Sequence, residues 1–186
     1  MTASPDRLFV VVSGPPASGK STLAPALAAA LDLPLLAKDT IKDALMSALG
    51  VADLDDSRRL GSASVDVLYA VAADLSGAVL EAPFYRSRAR PRLHGLAAPI
   101  VEVFCRCDRE TLRRRYEERS RARPRAAGHF DESRRPHELW NDEIAVPVAG
   151  GWPVIEVDTT GPADVAAVAD QVRRAATPDV LPDKTH

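Results

Sequence analysis

The chain has only two cysteines in 186 residues, Cys105 and Cys107, in a C-x-C with no second pair and no histidine nearby. Four ligands must converge on a structural zinc, so this is a poor metal signature, and the cysteines instead continue the Val101/Val103 side of a strand. No apolar stretch approaches the ~20 residues that span a bilayer, and no signal-peptide pattern opens the chain. The expectation is a cytoplasmic protein without a membrane partner. Internal repeats and low-complexity tracts are absent. Lysine is scarce, 4 against 20 arginines. A general bias toward arginine accounts for that ratio but not for its distribution. Residues 86–135 hold 15 of the 24 basic side chains against 7 acidic ones, which leaves the remainder at a net −10. A basic middle on an otherwise acidic chain points to an anionic ligand bound there, rather than to general coating of nucleic acid.

At 46% hydrophobic the chain suffices for one well-buried core and is short for two. One domain is expected over 1–176, with a fraying tail over 177–186 that contains Pro178 and Pro182. Apolar periodicity predicts strands near 7–13, 34–37, 77–82, 98–105 and 153–157. It predicts helices near 20–31, 40–49, 57–75, 108–122, 136–144 and 163–176, with Ser57 as the N-cap of the third and loops over 50–56 and 121–135. Alternating strands and helices argue for an α/β fold, a mostly parallel five-stranded sheet with helices on both faces. Ligands bind such sheets beyond the carboxyl ends of the strands.

At one such end stands G-P-P-A-S-G-K-S. Residues Gly14, Pro15, Pro16, Ala17, Ser18, Gly19, Lys20 and Ser21, followed by Thr22, complete a G-x-x-x-x-G-K-[ST] phosphate-binding loop between the apolar run 8–12 and a helix. The glycines let backbone N–H groups turn inward, and the helix N-terminus adds partial positive charge where phosphates would sit. Lys20 is placed to reach the β- and γ-phosphates of ATP or GTP, and the Ser21 hydroxyl to complete a Mg²⁺ shell. The marks of other P-loop classes are missing. Asp74-Leu75-Ser76-Gly77, a D-x-x-G, precedes the third strand instead of ending it, and no N-K-x-D-like base reader exists, which argues against a regulatory GTPase.

Asp39 follows the short second strand, so it shares the P-loop's edge. A carboxylate facing the γ-phosphate can orient a hydroxyl and take its proton, although Asp39 could also merely cap the helix that follows. Lys42 could hold an anionic group of the acceptor. Arg113, Arg114, Arg115, Arg119, Arg121, Arg123 and Arg125 crowd an expected arginine-rich lid over about 113–135, in which Arg115 and Arg119 share a helical face and call for a compensating anion, such as a triphosphate, with surface pairing to Glu117 and Glu118 as the alternative. Glu81 ends the third strand and would serve either a metal through water or the acceptor pocket, together with Phe84, Tyr85 and Arg88. His129 lies in the lid region and is a further candidate for substrate contact.

The combination of G-P-P-A-S-G-K-S-T, L-L-A-K-D-T-I-K-D-A-L and F-C-R-C-D-R-E-T-L-R-R-R-Y-E-E-R over residues 8–160 resembles the small P-loop kinases. These include chloramphenicol phosphotransferase, zeta-toxin-like kinases and the kinase half of polynucleotide kinase. The resemblance implies a nucleoside-kinase-like P-loop NTPase fold, with Asp39 as base and Lys42 on a substrate phosphate. It also implies that Asp158, Thr159 and Thr160, in V-I-E-V-D-T-T, border the nucleotide base. The activity implied is transfer of the γ-phosphate to a hydroxyl of a small molecule, such as an antibiotic or a sugar- or nucleoside-like metabolite. A 5′-hydroxyl polynucleotide kinase and a non-catalytic nucleotide-binding module are the alternatives.

Overall fold

The computed structural model describes residues 7–122 and 139–177. Five strands, β1 (Leu8–Ser13), β2 (Leu35–Ala37), β3 (Gly77–Glu81), β4 (Ile100–Arg106) and β5 (Val154–Asp158), form one all-parallel sheet in the order β2-β3-β1-β4-β5. β1 is central and buried along its whole length, so a continuous run of apolar residues suits it better than alternation with polar ones. Leu8, Val10 and Val12 point to one face, where α1 (Lys20–Leu31) and α6 (Val165–Ala176) supply Leu23, Leu27, Val168 and Val172. Phe9 and Val11 point to the other, where α3 (Leu54–Ala73) and α4 (Arg86–His94) supply Leu68, Ala72, Ala89 and Leu93. α2 (Lys38–Leu49) and α5 (Arg109–Ala122) complete the set. Each helix returns the chain so that the carboxyl ends of all five strands share one edge.

Three local expectations change. α3 begins at Leu54, because the Asp53 carboxylate accepts the Asp56 N–H at 2.8 Å and caps the helix about one turn earlier than the hydroxyl at 57 would. Ser57 is therefore inside the helix, buried, and not its cap. α4 has no counterpart among the predicted helices, since R-S-R-A-R-P-R-L-H has no apolar periodicity beyond Ala89 and Leu93. Its first N–H groups are satisfied from afar: Arg86 N–H donates to the Glu143 carbonyl and Ser87 N–H to the Glu143 carboxylate, at 3.0 and 2.8 Å. Of the predicted helix 136–144, residues 136–138 lie outside the described residues, Leu139 is helical, and 142–144 form a turn. Among the described residues no helix is long and apolar enough to cross a membrane.

Candidate active site

The P-loop leaves β1 through Gly14, whose φ of +134° belongs to glycine, and a Cβ there would stand 2.7 Å from the Cys105 carbonyl. Ala17 (φ +66°) and Gly19 (φ +91°) are also left-handed, which turns successive N–H groups toward one concavity. α1 starts there without a side-chain cap and without an acidic residue in its first turn. The Ser18 hydroxyl is buried and has no partner among the described residues. An uncapped helix end, a backbone nest and an orphaned hydroxyl fit an anion such as a nucleotide's phosphates.

Lys20 is buried, and its ammonium donates to the Pro15 carbonyl at 2.7 Å. Burial holds it below the usual lysine range, while Glu81, Cys105 and Asp39 pull the other way. Glu81, at the end of β3 beside β1, is 7% exposed, and burial pushes its carboxyl up against the pull of Lys20. Ser21 is exposed in the same cleft. No group of three acidic, histidine or cysteine side chains among the described residues could hold a metal alone. The Ser21 hydroxyl could serve as a protein ligand to a Mg²⁺ ion carried on bound phosphates.

Across the cleft stand Lys38, Asp39 and Lys42. The first turn of α2 projects Asp39 into the opening, 55% exposed, with the Lys38 ammonium 2.9 Å from its carboxylate. Lys42 is 1% exposed and donates to Ser57 Oγ at 2.8 Å, and its stem passes beside Gly61, one turn further on. Helix α5 contributes Tyr116 and Arg119 to the cleft, with the Arg119 guanidinium 5.5 Å above the Tyr116 ring. Leu139 and Pro83 complete the wall. Trp140 meets Tyr116 edge-on at 5.4 Å and reaches the Pro16 carbonyl with its indole N–H at 3.5 Å. Nothing in the sequence singled out Tyr116, Leu139 or Trp140, because aromatic and apolar residues near a lid read as core until the fold brings them to the P-loop.

Arg115 points elsewhere than its helical neighbour. Its guanidinium donates to the Thr159 and Thr160 carbonyls at 2.8 and 3.0 Å and lies 3.7 Å from Cys107 Sγ. Thr159 is buried, and its hydroxyl donates to the Ser18 carbonyl at 2.5 Å, while Asp158 accepts the Thr160 N–H at 2.9 Å. The turn after β5 is thus stitched to the P-loop on one side and to Arg115 on the other. Phe84 packs against Tyr69 in the core and not in the cleft, and Arg88 is exposed on α4 outside the cleft wall. Cys105 is buried, with its thiol pushed up to about 11 by burial, but Cys107 lies past the end of β4 and is partly exposed. Arg123, Arg125 and His129 lie outside the described residues, and nothing is described of the Arg121 side chain.

A P-loop closed at the carboxyl edge of a 2-3-1-4-5 sheet is an arrangement shared with known proteins, and the AAA-domain family matches residues 9–147. The chain belongs to that family. It is 31% identical to a candidate kinase from Chloroflexus aurantiacus j-10-fl, over 92% of this chain and 99% of that one, with a TM-score of 0.83. A gluconokinase from Sinorhizobium meliloti 1021 is 20% identical, covering 94% and 93% of the two chains, with a TM-score of 0.58. The Mycobacterium tuberculosis APS kinase, solved with AMPPNP and APS, is 21% identical over 92% and 98%, with a TM-score of 0.57. These last two share the fold with this AAA-domain protein, which is that of the small P-loop kinases. No curated protein matches the chain significantly.

Proposed function

We propose that this AAA-domain protein is an NTP-dependent phosphotransferase that moves the γ-phosphate of ATP or GTP to the hydroxyl of a small molecule. The observation that carries the reading is one cleft holding Lys20 and Ser21 of the P-loop, the carboxylates of Asp39 and Glu81, and Arg119 of the lid helix. The P-loop and the uncapped end of α1 take the phosphates, and the Asp158–Thr160 turn borders the base. Asp39 orients the acceptor hydroxyl and takes its proton as the new O–P bond forms and the β–γ bridging bond breaks. Lys20 and Arg119 balance the charge that shifts during transfer. Lys42, anchored by Ser57, lies on the acceptor side, while Glu81 fixes Lys20 and the water shell of Mg²⁺. Similarity in fold to kinases of gluconate and of APS supports a small acceptor such as a sugar- or nucleoside-like metabolite or an antibiotic.

The test is a screen with γ-labelled ATP and GTP against small alcohols and 5′-hydroxyl oligonucleotides at low salt, with Asp39→Asn alongside. Label in a small alcohol that disappears in Asp39→Asn supports the reading. Label in oligonucleotides alone replaces the small acceptor with nucleic acid, and nucleotide binding without any transfer overturns the phosphotransferase assignment.

A further inference from the structure

Glu102 stands in the middle of β4, fully buried, and takes no part in the chemistry above. Its carboxylate accepts four hydrogen bonds. Ser13 Oγ and the Val148 N–H reach Oε1 at 2.6 and 2.8 Å, and the Ala149 N–H and the Trp152 indole N–H reach Oε2 at 2.9 and 3.1 Å. Four donors on one carboxylate satisfy a charge that would otherwise be prohibitive in an apolar sheet. The donors come from two places that matter. Ser13 is the last residue of β1, directly before Gly14 of the P-loop. Residues 148–152 end the strap that begins at Leu139 in the cleft wall and at Trp140, which reaches the Pro16 carbonyl, and continues through Glu143 at the start of α4.

The strap is gripped from its other side as well. Arg90 donates through Nε to the Val148 carbonyl at 2.8 Å and through a terminal nitrogen to the Ala149 carbonyl at 2.9 Å. The peptide unit between Val148 and Ala149 thus lies with its carbonyl on a guanidinium and its N–H on a carboxylate, so its dipole is aligned between opposite charges. Ala149 is held at φ +48°, a left-handed conformation that a residue with a Cβ avoids without such restraint.

We propose that Glu102 is a positioning residue for nucleotide binding: through Ser13 and the Val148–Ala149 peptide it locks the start of the P-loop to the strap carrying Leu139 and Trp140, so that phosphate cradle and cleft wall hold one spacing. Nothing in this coupling touches the substrate. It rests on the nucleotide site described above but not on the acceptor.

Ser13→Ala and Arg90→Met test it from the two ends, since the first removes only the P-loop tie and the second touches only the strap. The readouts are the dissociation constant of a fluorescent ATP analogue, amide hydrogen exchange of residues 14–19, and melting temperature. Both variants are expected to weaken the analogue about three- to tenfold and to speed exchange of 14–19 about tenfold, the scale of one or two lost hydrogen bonds. Glu102→Gln should exceed both, because an amide turned either way sets its NH₂ against a backbone or indole donor. If Glu102→Gln does not fold, the other two variants decide. Parental nucleotide affinity and parental 14–19 exchange in Arg90→Met would overturn the coupling, whatever Ser13→Ala does locally. A parent protein that binds the analogue but transfers phosphate to nothing would sink the phosphotransferase reading and leave this test intact.

Discussion

Arg115 and Arg119 lie one helical turn apart, yet their replacement by alanine should damage different steps. Arg115 spends its guanidinium on the Thr159 and Thr160 carbonyls. Two hydrogen bonds from a partly exposed cation are worth about 1–2 kcal/mol together once solvent competition is allowed for. Because they hold the turn proposed to border the base, losing them should weaken nucleotide binding about 5- to 30-fold at ~1.4 kcal/mol per decade, with little change in kcat. Thr159→Val, which removes the hydroxyl that donates to Ser18 O while keeping the shape, should give the same signature. Arg119 lines the cleft itself, so Arg119→Ala should lower kcat by roughly 10²–10³ at nearly unchanged nucleotide affinity, the scale of one preorganised donor. Steady-state kinetics with both substrates varied, together with direct titration of nucleotide, separates the cases. A fall in kcat for Arg115→Ala at parental nucleotide affinity would refute the reasoning and put Arg115 at the transferred phosphoryl group.

Three further outcomes are expected. Asp39→Asn should bind nucleotide like the parent and transfer about 10²–10⁴-fold more slowly, measured as single-turnover transfer. Ser21→Ala should need more Mg²⁺ for half-maximal activity, and a metal titration superimposable on the parent's would remove Ser21 from the coordination shell. Lys20→Met combined with Glu81→Gln replaces two desolvated charges with neutral groups of similar size; it should abolish transfer yet melt above the parent, on the scale of about 1–4 kcal/mol for such replacements. The sign follows from both shifts. The folded state holds the Glu81 proton to higher pH than the unfolded chain and releases the Lys20 proton at lower pH, so the penalty on the parent is full at intermediate pH. The double variant's advantage should shrink in acid below the raised Glu81 value and in alkali above the lowered Lys20 value.

The parts of this architecture that local sequence could specify were legible in it. The P-loop and α1 have strong local determinants, and their boundaries emerge as predicted at Lys20 and Leu31. The five strands follow from apolar runs that a central parallel sheet demands. α4 was invisible because its helix is decided by partners 50 residues away, Glu143 at its first turn and the Val148–Ala149 peptide along its side. Lys42 read as a group available to an anionic acceptor, whereas packing of α2 on α3 buries it against Ser57. Arg115 and Arg119 read as a pair by spacing alone, and only the position of the β5 turn shows that they face different partners. Glu102 was the one signal present and unused: a carboxylate inside I-V-E-V-F-C requires donors, and those donors lie in segments whose proximity no local pattern encodes.

The proposed division between the two cleft carboxylates follows from their exposure. A general base must pass the proton it has taken to water before the next turnover, and Asp39, 55% exposed and steadied by Lys38, is open to solvent. Glu81 lies at the bottom of the cleft, where burial already resists its ionisation and Lys20 is the first charge to oppose that resistance. A bound triphosphate with Mg²⁺ would cover it further, so a proton taken there has no direct route to bulk water. The same enclosure suits Glu81 to a fixed task. A buried carboxylate near Lys20 acts through its field, which strengthens as water leaves. The exposed carboxylate thus fits the step that moves a proton, and the buried one fits the steps that only hold charge in place.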